Sequence, residues 1–134
     1  MIVLDASVVL KWLFDEEVGS DHAARLKDAH VSGREIVAVP DLLFYEVGNV
    51  LATRTRLPDE AISEAFSLLW DFGLERFELG LDEYQGALAL TRKYKITLYD
   101  AAYIELGRRL KCQFVTADKK LYEKVKGIRS IELL

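Results

Sequence analysis

Four carboxylates hold most of the chemistry this sequence can offer: Asp5, Glu46, Asp100 and Asp118. Acids are common in the chain, 22 of 134 residues, so each needs its ordinary explanation first. Asp5 closes the apolar run Met1-Ile2-Val3-Leu4 and stands before a helix-like stretch, where an N-capping aspartate belongs. Asp118 stands likewise just beyond a strand-like segment ending at Thr116. Asp100 follows Thr97 by three residues, the spacing of a capping box. Capping accounts for any one of these alone. Glu46 has no such account, because it falls inside the apolar stripe Leu42, Leu43, Val47, Val50, Leu51 of a helix. A carboxylate on a buried face must be paired, protonated or bound to a metal. Lys11 is its candidate salt-bridge partner, and Asn49, one turn on, shares its face.

Taken together, two acids lie at strand carboxyl ends, one opens a helix and one projects from a helix face. A parallel sheet would let all four converge on one edge. Clustered carboxylates repel and their titrations couple, so they stay ionised only beside a cation. Four hard oxygen donors without imidazole or thiolate select Mg²⁺ or Mn²⁺ over zinc or copper. Such an ion completes its shell with water and phosphate oxygens. Two of them about 3.5–4 Å apart could activate a water and stabilise the leaving oxygen of a phosphodiester.

The elements that must position these groups alternate. Residues 1–4, 35–39 and 113–116 read as strands, with a further strand near 128–133. Residues 7–14, 22–29, 41–56, 59–72, 82–95, 98–111 and 119–125 read as helices, residues 15–17 form an acidic turn, and 75–79 is a short alternating segment. Short apolar strands between helices indicate an α/β fold with a largely parallel sheet, whose ligands bind beyond the strand carboxyl ends at a topological switch point. No linker, repeat or composition break divides the chain, so one domain over 1–134 is expected. The single Cys112 excludes an intramolecular disulfide framework, and with only His22 and His30 beside it a structural zinc site is out of reach. No apolar run approaches a membrane span, and the N-terminus lacks a signal peptide's basic segment. A cytoplasmic protein is the expectation. The net charge of −4 argues only weakly against a nucleic-acid partner: with the four acids set aside, 18 acidic residues face 18 basic ones.

The same residues carry a family resemblance. The segments Ile2-Val3-Leu4-Asp5-Ala6-Ser7, Glu46-Val47-Gly48-Asn49-Val50-Leu51, Leu98-Tyr99-Asp100-Ala101-Ala102-Tyr103 and Val115-Thr116-Ala117-Asp118-Lys119-Lys120-Leu121 resemble, in order and across the whole chain, the PIN-domain ribonucleases, and most closely the VapC-type toxins of toxin–antitoxin pairs. The resemblance implies a PIN-like three-layer α/β fold with a central, mainly parallel sheet. It puts the metal-binding and catalytic acids on Asp5, Glu46, Asp100 and Asp118, a supporting hydroxyl on Ser7 or Thr116, and a polar helix position on Asn49. It implies a Mg²⁺-dependent endoribonuclease (Mn²⁺ able to substitute) that cuts structured RNA, forms homodimers and is inhibited by a cognate VapB-like antitoxin. Some members carry a further acid near the fourth; here Lys119-Lys120 follow Asp118, with Glu123 one turn on.

Lys119 and Lys120, adjoining a metal-site acid, are candidates for RNA phosphate contact, whereas Arg92 to Lys95 suit a helix C-terminus. Trp12 reads as core rather than a base-stacking ring, Phe66, Leu69, Trp70 and Phe72 as core with a dimer or antitoxin surface as the alternative, and Tyr99 and Tyr103 as packing residues; His22 and His30 receive no role. Two rival chemistries fit less well. A haloacid-dehalogenase-type phosphatase needs an acid where Ser7 stands, and a receiver domain needs adjacent acids after the first strand. Neither explains Glu46. A degenerate PIN-fold domain that only binds a protein partner is the non-enzyme alternative.

Overall fold

The computed structural model describes residues 1–14 and 20–134, without the side chain of Ser20; the acidic turn at 15–17 lies outside the described residues. The chain runs β1 (Ile2–Leu4), α1 (Ala6–Leu13), α2 (Ser20–Val31), β2 (Val37–Pro40), α3 (Leu42–Thr53), α4 (Asp59–Asp71), β3 (Glu75–Phe77), α5 (Leu81–Tyr94), α6 (Leu98–Leu110), β4 (Gln113–Thr116), α7 (Lys119–Val125) and β5 (Ile131–Leu133). The five described strands form one sheet in the order β3-β2-β1-β4-β5, and all four pairings are parallel.

Strand order dictates where chemistry can sit. From β1 the chain steps outward through β2 to β3, then crosses back to β4 and out to β5. Right-handed crossovers therefore put α1–α4 on one face and α5–α7 on the other. Packing agrees: α1 lies on α2 and α3, α3 on α4, and α5 on α6, which itself covers β1, β2 and β4. With both faces covered, Val3, Leu4, Val37, Ala38 and Val39 are all fully buried, which is why these strands read as unbroken apolar runs. The direction of winding reverses between β1 and β4, and their carboxyl ends flank the resulting crevice.

Three features depart from the sequence reading. Residues 75–79 contain the edge strand β3, which pairs Val39 with Arg76 and Pro40 with Phe77; Pro40 thus ends β2 as a member of it. His30 is a structural pin. Its Nδ1 accepts from the Val37 amide (3.1 Å), so its proton sits on Nε2, which donates to the Phe72 carbonyl (2.9 Å). Trp12 is buried, but Trp70 and Tyr99 are 52% and 60% exposed, so neither is core. Trp70 instead lies edge-on to Phe44 and beneath the Arg76 guanidinium, 4.5 Å from its ring centre.

Candidate functional site

Parallel register brings the first two site residues level. Leu4 pairs with Val115, so Asp5, one residue beyond β1, meets Thr116 at the end of β4. Asp5 has extended backbone and caps α1, its Oδ1 accepting from the amides of Ser7 (3.1 Å) and Val8 (3.3 Å). Two hydroxyls complete its surroundings: Ser7 Oγ donates to Oδ1 and Thr116 Oγ1 to Oδ2, both at 2.5 Å. Each hydroxyl has one proton, and both are committed to Asp5. Their lone pairs are then free to accept, Ser7 Oγ from the Ala117 amide (2.8 Å) and Thr116 Oγ1 from the Asp118 amide (3.1 Å). The knot fastens the ends of β1 and β4 together. It also leaves Oδ2, with one donor against three on Oδ1, as the oxygen of Asp5 with a lone pair to spare. Burial pushes the Asp5 carboxyl up to about 6, against the pull of the Ser7 and Thr116 hydroxyls and the Val8 amide; the Asp100 charge adds to the rise.

Glu46 projects half-buried from α3, among buried Leu43, Val47 and Leu51. Its Oε1 accepts from the Tyr103 hydroxyl at 2.6 Å. Tyr103, 1% exposed, is stacked on Phe114 with ring centres 5.9 Å apart. Burial, reinforced by the Glu46 charge, raises the Tyr103 phenol well above its ordinary value, so it stays protonated and remains a donor. Burial also raises the Glu46 carboxyl; the Tyr103 bond opposes this and the Asp100 charge adds to it. Asp100 sits in the first turn of α6, whose N-cap Thr97 accepts from the Asp100 amide (3.1 Å). Its carboxyl is raised by burial, with the Thr97 bond lowering it, the Asp118 charge raising it and the Lys124 charge lowering it. Asp118 caps α7 through the Leu121 amide (3.0 Å).

All four acids therefore lie at the carboxyl end of the sheet, three of them capping or opening helices as well. Asp100 is the hub: it is within electrostatic reach of Asp5, Glu46 and Asp118. Among the described residues no three acidic, histidine or cysteine side chains are grouped closely enough to hold an ion by themselves. The donor set nonetheless fits a hard divalent cation. It consists of carboxylates and hydroxyls, several of the carboxylates are forced toward protonation by burial and mutual repulsion, and Asp5 Oδ2 has a free lone pair. Mg²⁺ typically takes only one or two carboxylates and fills its shell with water and phosphate. His30 and Cys112 are elsewhere, the former bonded to main chain.

Of the remaining sequence candidates, Ser7 and Thr116 both hold Asp5. Asn49 is exposed on α3, and among the described residues no hydrogen bond joins its side chain to Glu46. Lys119 and Lys120 are exposed on α7, and Lys120 lines a cavity together with Asp100 and Asp118. Sequence reasoning missed Tyr103. The signal was there: Tyr103 lies three residues after Asp100 on the same face of α6, and a buried phenol needs a partner, as does a stranded Glu46.

Comparison with known proteins bears on this arrangement. The PIN domain pattern matches residues 2–127. The chain is 32% identical over 127 residues to Ribonuclease VapC3 of Pyrobaculum aerophilum, covering 92% of this chain and 93% of that one. Among solved structures, it is similar to PAE2754 of the same organism, with a TM-score of 0.69, 25% identity and coverage of 94% and 86% of the two chains. A toxin–antitoxin complex from Klebsiella pneumoniae shares the fold at a TM-score of 0.70 and 15% identity, with coverage of 98% and 96%.

Proposed function

Because the chain belongs to the PIN-domain family, we propose that it is a metal-dependent endoribonuclease, the toxin of a toxin–antitoxin pair, hydrolysing RNA at the Asp5, Glu46, Asp100 and Asp118 carboxylates. The observation that carries this reading is the buried Asp5 at the switch point, held by two hydroxyls within reach of the Asp100 charge and, among the described residues, joined in no ion pair. Unneeded clustered charge would cost stability, which argues against a degenerate binding domain.

Asp5 and Asp100 would hold a Mg²⁺, for which Mn²⁺ would substitute, and Glu46 and Asp118 would orient it or its water. When bound, the ion lowers the pKa of water and stabilises charge on the phosphate and leaving oxygen. Ser7 and Thr116 fix the Asp5 carboxylate and leave Oδ2 with a lone pair that would be available to a cation. Tyr103 holds Glu46 Oε1, which leaves Oε2 to orient the attacking water. Attack by water at phosphorus gives a 5′-phosphate and a 3′-hydroxyl. With both nitrogens of His30 engaged by main chain, that histidine cannot activate a ribose 2′-hydroxyl. Asn49 supports the same helix face, and Lys119 and Lys120 contact RNA phosphates. The partners are RNA, a VapB-like antitoxin and a second copy of this chain; 1–134 acts as one domain. A cytoplasmic location is part of this reading; among the described residues no helix is long and apolar enough to cross a membrane.

The test is cleavage of total RNA by wild type, Asp5→Asn and Glu46→Gln, each with Mg²⁺, Mn²⁺ or EDTA. Cleavage that needs metal and is lost in both variants is the expected result. Cleavage that survives EDTA and both substitutions would overturn the carboxylate mechanism.

A further inference from the structure

Beside Asp100 and Asp118 lies a cavity of about 310 Å³ whose remaining charged walls are Lys95, Lys120 and Lys124. Lys120 and Lys124 are four residues apart and so share one face of α7. Lys95 ends α5 in the left-handed conformation (φ 55°), a backbone state that side chains other than glycine rarely adopt. Its carbonyl accepts from Lys124 Nζ at 3.2 Å, which ties α7 to the turn before α6. All three lysines are exposed. Among the described residues no ion pair joins them to Asp100 or Asp118, although the Lys124 charge is felt by the Asp100 carboxyl. On the other side of the α6 N-terminus, a hollow of about 450 Å³ lined by Phe77, Tyr84 and Tyr99 has no cationic side chain in its wall. Of these two cavities, only the one on the α7 side has a cationic wall.

A wall with three ammonium groups and two carboxylates carries net positive charge and calls for an anion. RNA bound across the carboxylates has phosphates on both sides of the one that is cut. We propose that Lys95, Lys120 and Lys124 form a subsite for a neighbouring, uncut phosphate of the RNA substrate, fixing the side on which the strand passes the carboxylates. This rests on the RNA-nuclease reading and extends it. It also separates the two lysines singled out by sequence, since Lys120 lines the cavity and Lys119 does not.

Binding of a fluorescein-labelled single-stranded oligoribonucleotide, followed by anisotropy in EDTA from about 50 to 200 mM KCl, tests the subsite. The double variant Lys120→Gln/Lys124→Gln should bind more weakly, with a log–log salt slope shallower by about 0.7, the value for one phosphate contact on a single strand. Lys120→Arg/Lys124→Arg should restore the slope, and Lys93→Gln, exposed on α5 and not lining the cavity, should leave it unchanged. In Mg²⁺ the double glutamine variant should raise KM about tenfold while kcat stays within about twofold, as expected for loss of uniform binding. A slope equal to wild type in the double glutamine variant, or no RNA binding by wild type at the lowest salt, overturns the subsite. If wild type still cuts RNA in Mg²⁺, only the subsite falls; if it does not, the nuclease reading falls too.

Discussion

At the scale of single residues, the cost of the site is concentrated in Asp5. Its carboxyl rises from the ordinary aspartate value of 3.8 to about 6, chiefly through burial, which corresponds to about 3 kcal/mol between the protonation states. A folded-state value above the unfolded one means that the group's stabilising contribution is complete below pH 4 and is lost as pH rises through 6. In EDTA, wild type should therefore lose about 10 °C of melting temperature relative to Asp5→Asn between pH 4 and pH 7.5. Thermal melts of both proteins across that range check this, and parallel curves would refute it. Mg²⁺ or Mn²⁺ should narrow the gap at pH 7.5 and leave it unchanged at pH 4. Tyr103 makes the second prediction at this scale. Tyr103→Phe removes the hydrogen bond that holds Glu46 (2.6 Å), at a cost of about 2 kcal/mol in stability. Because that bond lowers the Glu46 carboxyl, its loss should move the acidic limb of the kcat/KM profile to higher pH. A variant with an unshifted profile would mean that Tyr103 only packs.

At the scale of elements, the helices were legible because their apolar spacing and capping residues agree, as at Thr97 and Asp100 or at Asp118. Interior strands were legible because both faces are covered, so their sequences are continuously apolar. The edge strand β3 was not, since two of its three residues, Glu75 and Arg76, are exposed and no apolar run marks it. Tyr99 and Trp70 were misjudged for a related reason: helical spacing identifies a face but not where the core ends. The site acids were readable from their positions after strands and within a helix, whereas Tyr103, Lys95 and Lys124 come together only through tertiary packing. His30 illustrates the same limit, its role being to satisfy the Val37 amide and the Phe72 carbonyl, two main-chain groups distant in sequence. His30→Ala should cost about 2 kcal/mol through those unpaired groups, lower the melting temperature, and leave RNA cleavage unchanged well below the melt. Unfolding midpoints in urea check the first part, and an unaltered midpoint would remove the pin from the account.

At the scale of the whole molecule, one topological fact organises the chemistry. The winding reverses between β1 and β4, the register brings Asp5 beside Thr116, and α3 and α6 approach from opposite faces of the sheet to add Glu46 and Asp100. Net charge obscures this, because −4 over the chain conceals carboxylates gathered at one sheet edge and a cavity beside two of them walled by three lysines. We propose that those carboxylates act as one metal site with Asp100 at its hub. Mn²⁺ binding to wild type and to Asp100→Asn, followed by the electron paramagnetic resonance signal of free Mn²⁺ at pH 7.5, tests it most directly. Wild type should bind saturably, and the variant should lose at least about tenfold in affinity, roughly 1.4 kcal/mol. Equal affinity in the two proteins would contradict it.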